Sequence, residues 1–411
     1  MLGIRLSHAV CPPLLALVFL LSRPVLSHGV VDSDRLLLIN NLSETLTLID
    51  RAGNSVVINA LTLGLVPNRV RLARSTPLLV NSISDDLWMI NSGTLDILRT
   101  VKFPDGDNPW DVVAVNDTLC AVSMLLANDV ALVNYATGKI LGRVQVGTSP
   151  EGLIVAAGKI WVANSGFDFG SYTFGPGTVS VVNPVTRTVV ATIPVGANPQ
   201  ALAFAPDGLI HVVCTGKYAA RTGIVYVLSP QTQVVVDSIP LGGAPGDLVI
   251  GQDGIAYLAA GGWTGFGQIF RYNSLTHAVL NNVTNPWRSA RGVTAVLPRL
   301  EGGIYALCFE ADSVIEHRAD GTIARGWQVG DGPQSAVSIT NRNPGDLNED
   351  GGIDVFDVIA VIDVAFSGAP PPPRPNSADV NADCVVDVFD VIAIIGVAFS
   401  GGGGLYWGCV Q

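Results

Sequence analysis

The sequence predicts a mainly β chain, a ring of seven four-stranded blades (a β-propeller), followed by a small α-helical domain. Three observations predict it. A proline after a short polar turn recurs at Pro67, Pro109, Pro150, Pro199, Pro245, Pro286 and Pro333, at intervals of 42, 41, 49, 46, 41 and 47 residues. Each interval reads as four short β-branched runs bounded by Gly, Asn and Pro, as in "GLIVAA", "KIWVANSG", "GTVSVVN" and "TVVATIPVG" after Pro150. The two ends complement each other. Only "SAVSIT" follows Pro333, while the first unit supplies "RLLLIN", "TLTLID" and "SVVINALTLG". Joining them makes a seventh blade and removes the exposed edges of an open array.

Taken in order, residues 1–27 read as an export signal. Arg5 precedes the apolar stretch "PLLALVFLL", and "VLS" before His28 offers small residues for cleavage. The apolar stretch is too short to span a bilayer comfortably. The chain is therefore expected to be secreted or extracellular, in association with the cell surface, with no transmembrane segment. Residues 28–341 form the propeller and residues 342–411 the C-terminal domain.

Beyond the leader, 21 basic residues face 34 acidic ones, a net charge of −13. Phosphate binding needs a basic surface, so a nucleic-acid partner is excluded. The charge is uneven: ten acids and one base (Arg374) follow from Asp346 onward, interleaved with apolar residues as a cation site would be. Cys120, Cys214 and Cys308 lie 94 residues apart in apolar strands, which predicts buried thiols at equivalent places in blades two, four and six. In an exported chain, Cys384 and Cys409 are the expected disulfide pair.

The acidic block holds one motif twice, at 346–368 and 379–401. "DLNEDGGIDVFD" sets Asp346, Asn348, Asp350, Asp354 and Asp357 at loop positions 1, 3, 5, 9 and 12, with Gly351 at the sixth; this is the ligand spacing of an EF-hand-type calcium loop. A helix of about three turns follows each loop, and "APPPPRPNS" connects the halves in an extended form.

Two resemblances follow. The words "KIWVANSG", "GTVSVVNPVTRTVVATIPVGANPQALAFAPDG" and "VYVLSPQTQVVVDSIPLGGAPGDLVIGQDG" resemble the YVTN-type propellers of bacterial secreted and surface proteins over residues 31–340. The doubled loop and helix, without an entering helix, resembles a type I dockerin over residues 345–401. That likeness implies two Ca2+ sites. The first would use Asp346, Asn348, Asp350, the Gly352 carbonyl, Asp354 through water, and Asp357. The second would use Asp379, Asn381, Asp383, the Val385 carbonyl, Asp387 and Asp390. It also implies docking onto a cohesin-like partner. Cys384 stands where the sixth-position glycine is expected, and both helices, "VFDVIA" then "VAF", are apolar nearly all round.

The turns into the inner strands and the loops between second and third strands should emerge on one face of the ring. They bring Arg69, Trp110, Glu151, Gln200, Asp247, Trp287 and Arg288 towards the channel, with Phe167, Tyr172, Tyr218 and Trp263 from three lengthened loops. Aromatics beside polar groups at a channel mouth suit a carbohydrate or a peptide, and equally a mutually packed lid. The histidines are scattered, so His211 and His317 read as satisfied or surface residues and no multi-histidine metal set is expected. No catalytic set converges. The expectation is a non-catalytic extracellular binding or scaffold propeller carrying a calcium-dependent docking module. Its alternatives are an accessory component of a cohesin–dockerin polysaccharide-degrading assembly, and a lactonase-like hydrolase or lyase at the channel.

Overall fold

The computed structural model describes residues 35–51, 53–218, 221–261, 266–299, 302–339, 345, 347, 353–367, 378–381 and 385–400. Seven antiparallel sheets of the expected kind form the propeller. Blades 1 to 6 begin with the inner strands Pro67–Ala73, Pro109–Ala114, Pro150–Ala156, Pro199–Phe204, Asp247–Ile250 and Val293–Pro298. Blade 7 is the predicted composite: Pro333–Ile339 pairs with Arg35–Asn40, from Arg35 opposite Ile339 to Asn40 opposite Pro333. The two ends of the ring are thus sealed by one ladder.

The second strand of each blade is apolar without alternation because it is buried on both faces. In Arg35–Asn40, Leu36 and Leu38 pack with Leu307 and Val314 of blade 6, while Leu37 and Ile39 pack with Val70 and Leu79 of blade 1. The same arrangement at every seam gives seven apolar layers, one between each pair of neighbours. Outer strands face water, as Ile97–Lys102 does along most of its length.

The recurring proline marks a fixed turn. The residue before the inner strand is left-handed at Val66, Asn108, Ser149, Asn198, Gly292 and Gly332. Asn and Gly tolerate that conformation, whereas Val66, at φ 53°, is strained by its branched side chain. The carbonyl of this residue accepts the N–H that follows the second strand: Ser82 N to Val66 O is 2.9 Å and Leu125 N to Asn108 O is 2.9 Å. In blade 6 the turn falls at Gly292–Val293, not at Pro286. Trp287–Arg288 is a short strand paired with Gln268–Ile269 of blade 5.

The three body cysteines are free and buried, in the second strands expected. Only two of them are equivalent. Cys214 and Cys308 lie opposite the first residues of their inner strands, Pro199 and Val293. In blade 2 that place belongs to Met124, and Cys120 pairs with Ala114. Unequal loops make the even sequence spacing.

A polar cluster lies within the apolar layers, between blades 6 and 7. The buried Glu316 carboxylate meets Arg51 at 3.1 Å, Arg299 at 3.0 Å and Arg325 at 2.7 Å. Burial alone would raise this carboxyl, but the Arg325 hydrogen bond and the charges of Arg299, Arg51 and Arg325 hold it below its ordinary value. Arg51 also stacks over Tyr305, and Arg325 over Trp327.

In the C-terminal part, helices α1 (Val355–Ser367) and α2 (Val388–Ser400) pack together. Their shared core is Leu347, Val358 and Val361 with Val380, Val391 and Ile394. Each residue of the first group matches one of the second at the repeat distance.

Glu316→Ala is expected to destabilise the ring by about 3–5 kcal/mol, because it strips the carboxylate from buried guanidiniums. Denaturant unfolding of both proteins measures this, and a loss under about 1 kcal/mol would show the cluster to be a weak surface-like pair.

Candidate functional site

The channel face sorts the candidate residues into two groups. Some build the ring. Arg71 donates both Nε (3.2 Å) and Nη2 (2.9 Å) to Asp111. Arg69 lies 3.7 Å from Asp111 of blade 2 and 3.5 Å from Asp247 of blade 5, so its guanidinium bridges across the axis. Asp111 accepts the Leu153 N–H of blade 3, and Asp247 accepts the Val296 N–H of blade 6. Burial opposes ionisation of Asp111, yet Arg71 and Arg69 hold its carboxyl below the usual range. Arg69 and Asp247 are therefore bound into the scaffold.

The second group surrounds a cavity of about 640 Å³ over blades 2 to 4, lined by Trp110, Leu125, Glu151, Phe167, Phe169, Tyr172, Phe174, Asn198, Gln200 and Tyr218. Its aromatic wall comes from the lengthened loop of blade 3, which folds as a hairpin with Phe167 opposite Phe174 and Asp168 opposite Thr173. Phe167 packs edge-on against Phe169 at 4.8 Å and lies 4.9 Å from Phe174; Phe174 reaches Tyr218 at 6.1 Å. The rings pack on one another and line the cavity at once. Tyr172 is 79% exposed, so this wall ends in open solvent.

The polar side of the cavity is arranged by the ring. Gln200 donates to the Tyr218 hydroxyl at 3.1 Å and accepts from Thr215 at 2.9 Å, which fixes its amide orientation. Asn198 is fully buried beside the cavity, and its side-chain amide makes no well-formed hydrogen bond to the protein. Glu151 is buried, and desolvation pushes its carboxyl up to about 8, against the opposing effects of Ser165 and Arg69. At neutral pH it is a neutral acid that can donate a hydrogen bond.

Of the predicted mouth residues, Trp110, Glu151, Gln200, Phe167, Tyr172 and Tyr218 come together in this cavity. Trp287 and Arg288 do not. Trp287 packs against Tyr257 and His317 under the Arg271 guanidinium, 3.6 Å from its ring, because its strand belongs to blade 5. Trp263 lies outside the described residues. Sequence reasoning missed Asn198, whose place before a repeat proline marked it only as a turn residue.

The residues expected to bind calcium are described in part. Asp346, Asn348, Asp350, Gly352, Asp383, Cys384 and Cys409 lie outside the described residues. The rest repeat one pattern. Asp357 accepts Leu347 N (2.6 Å) and Asp354 N (2.9 Å), and Asp390 accepts Val380 N (2.8 Å) and Asp387 N (2.9 Å). Asp354 and Asp387 in turn accept Phe356 N and Phe389 N at 2.8 Å, as helix N-caps. The twelfth-position carboxylate thus folds each loop back on its helix. Asp379 and Asp390 are both buried, and Asp390 is raised by burial and by the nearby Asp379 charge. An all-oxygen donor set with crowded carboxylates fits a hard cation such as Ca2+.

His317 is satisfied by Ser289 and Gly321, as expected. His211 is not a surface residue: it is fully buried and comes together with His277 and Asp207 across the seam of blades 4 and 5. The scattered sequence positions concealed this because neighbouring blades meet side by side.

No family model matches the chain, and no curated protein matches it. Solved structures match in fold. A protein of unknown function from Desulfotomaculum acetoxidans is 11% identical, with 74% of this chain and 99% of that one covered and a TM-score of 0.60. A quinonprotein alcohol dehydrogenase-like protein from Bacteroides thetaiotaomicron is 12% identical over 75% and 79%, with a TM-score of 0.56. Hydrazine synthase from Kuenenia stuttgartiensis is 14% identical over 66% and 88%, with a TM-score of 0.55. At such identities the likeness is one of architecture, and propellers of one architecture serve many functions. Among the described residues, no helix is long and apolar enough to cross a membrane.

Glu151→Gln is expected to stabilise the protein by about 4 kcal/mol at pH 8. The native carboxyl holds its proton up to about 8, while the unfolded one loses it near pH 4, so native Glu151 costs stability increasingly as pH rises between them. Thermal unfolding of both proteins from pH 4 to 8 should show the gain growing with pH and absent at pH 4.

Proposed function

We propose that this chain is an exported, non-catalytic binding propeller that takes a neutral saccharide in the aromatic cavity over blades 2 to 4. The observation that carries this reading is the pairing of wall and floor. The wall offers Trp110, Phe167, Tyr172 and Tyr218, and the floor offers Asn198, Gln200 and protonated Glu151. Ring faces of a sugar stack on aromatics, and its hydroxyls pair with amides and a neutral acid. No ionised side chain lines the cavity at neutral pH, which favours a neutral ligand over a charged peptide.

The C-terminal repeats form, on this proposal, a dockerin-like module. Asp354, Asp357, Asp379, Asn381, Asp387 and Asp390, with the loop residues before them, would hold two Ca2+ ions. Calcium would neutralise the gathered carboxylates and tighten the loops on α1 and α2. The helices leave matching apolar residues exposed: Phe356, Ile359 and Phe366 on α1, and Phe389, Ile392 and Phe399 on α2. A face of this kind supports docking onto a cohesin-like surface partner.

Calorimetry of the intact protein and of a variant ending at Asn343 tests both halves, with Ca2+ and then a panel of neutral oligosaccharides as titrants. The expected result is two Ca2+ sites lost on truncation, and saccharide binding that survives truncation but weakens at least tenfold in Trp110→Ala. Binding of charged peptides in place of neutral saccharides would overturn the mouth reading, and retention of both Ca2+ sites on truncation would overturn the docking module.

A further inference from the structure

The turns between first and second strands, and between third and fourth, lie on the face of the ring opposite the aromatic cavity. There, at the seam of blades 4 and 5, three side chains from separate segments converge. Asp207 sits in the turn before Ile210–Cys214, His211 near the start of that strand, and His277 in the turn after Gln268–Asn273 of blade 5. Their ligand atoms lie within 4.8 Å of one another.

Each histidine is oriented by its other nitrogen. His277 Nδ1 is 2.5 Å from the Asp237 carboxylate, and His211 Nδ1 is 2.7 Å from the Tyr272 hydroxyl. With the proton on each Nδ1, donated to Asp237 and to the Tyr272 oxygen, each Nε2 carries a lone pair. Both Nε2 atoms are buried and have no hydrogen-bond partner among the described residues. His211 is 0% exposed, so its bare nitrogen is a costly group without a ligand. Asp207 uses one carboxylate oxygen to accept the Leu209 N–H at 2.9 Å, and its other oxygen is available.

We propose that Asp207, His211 and His277 form a transition-metal site of the Zn2+ type, with Asp237 and Tyr272 as the groups that hold the two imidazoles in place. Two imidazoles and one carboxylate suit a borderline cation better than Ca2+, which prefers oxygen throughout. A carboxylate behind a metal-binding imidazole is the usual means of fixing its tautomer. Asp207 is exposed and gives the ion its path in from solvent. Three protein ligands leave a fourth position for water or a small anion. The site ties blade 4 to blade 5.

Full-chain protein, stripped with chelator and held in excess Ca2+ to fill the acidic loops, is titrated with Zn2+ against a chromophoric competitor and separately with Co2+. The expected result is one Zn2+ per chain, and visible Co2+ bands of nitrogen and oxygen ligation without thiolate charge transfer. His277→Ala and Asp207→Asn should each weaken Zn2+ binding at least tenfold, and Asp237→Asn by about tenfold. His211→Ala removes a buried side chain and is open to misfolding, so the two turn variants carry the test. Absence of stoichiometric uptake, thiolate bands from Co2+, or full Zn2+ affinity in His277→Ala would each overturn the site.

Discussion

The ring depends on hydrogen bonds between blades at the inner ends of their strands. Among the described residues, neighbouring sheets share no backbone ladder, and the apolar layers between them give adhesion without register. Register comes from side chains that reach forward by one blade. Asn41 donates to Pro67 O, Ser82 to Pro109 O, Ser123 to Glu151 O and Thr215 to Pro245 O. A second set runs from inner strand to inner strand: Asp111 to Leu153, Asp247 to Val296 and Ser335 to Val70. The last crosses the closure, so the seam made by the chain ends is stitched like the others. Left-handed turns before the inner strands put these carbonyls and hydroxyls in register.

This stitching decides what the channel face can offer. Polar side chains at the start of an inner strand first serve the ring, and Asp111, Asp247 and Arg69 are taken up in doing so. Blade 3 has Gly152 where blade 2 has Asp111, and a Cβ there would lie 2.5 Å from the Gln200 carbonyl of blade 4. The close approach places Glu151 and Gln200 side by side at one rim. The lengthened loop of blade 3 then covers that rim with aromatics. The cavity is off-axis because Arg69 fills the axis.

Blade count, closure and the two C-terminal helices were legible because each rests on local chemistry: turn residues at fixed intervals, doubly buried strands, and a capping carboxylate ahead of an apolar helix. Much of the mouth was legible too, since length and aromatic content mark a loop that does more than connect. Pro286 misled because the proline is only a frequent occupant of the turn. In six of the seven blades the turn carries a left-handed residue followed by an inner strand, and Gly292–Val293 supplies it in blade 6. The equal cysteine spacing misled likewise, as loop insertions shift strands without changing their order. The His211–His277 pairing was illegible in principle. It depends on a seam between blades, and spacing along the chain carries no information about which turns meet there.

The same constraint explains why both sites sit at rims. Between blades 4 and 5 the layer is apolar from Val213 and Leu258 through Phe270, and no polar group in it could face a ligand without a buried partner. Polar chemistry therefore concentrates at the two ends of the strands. The strand Ile210–Cys214 shows both: Thr215, just past its upper end, orients Gln200 for the cavity, and His211 at its lower end meets His277. Each end is also pinned to blade 5, by Thr215 to Pro245 and by His211 to Tyr272. A group that fixes one blade to the next is already immobilised, with its free valence aimed at the rim. In this ring, rigid scaffolding and ligand recognition draw on the same few polar positions, and those not consumed by the first are the ones left for the second.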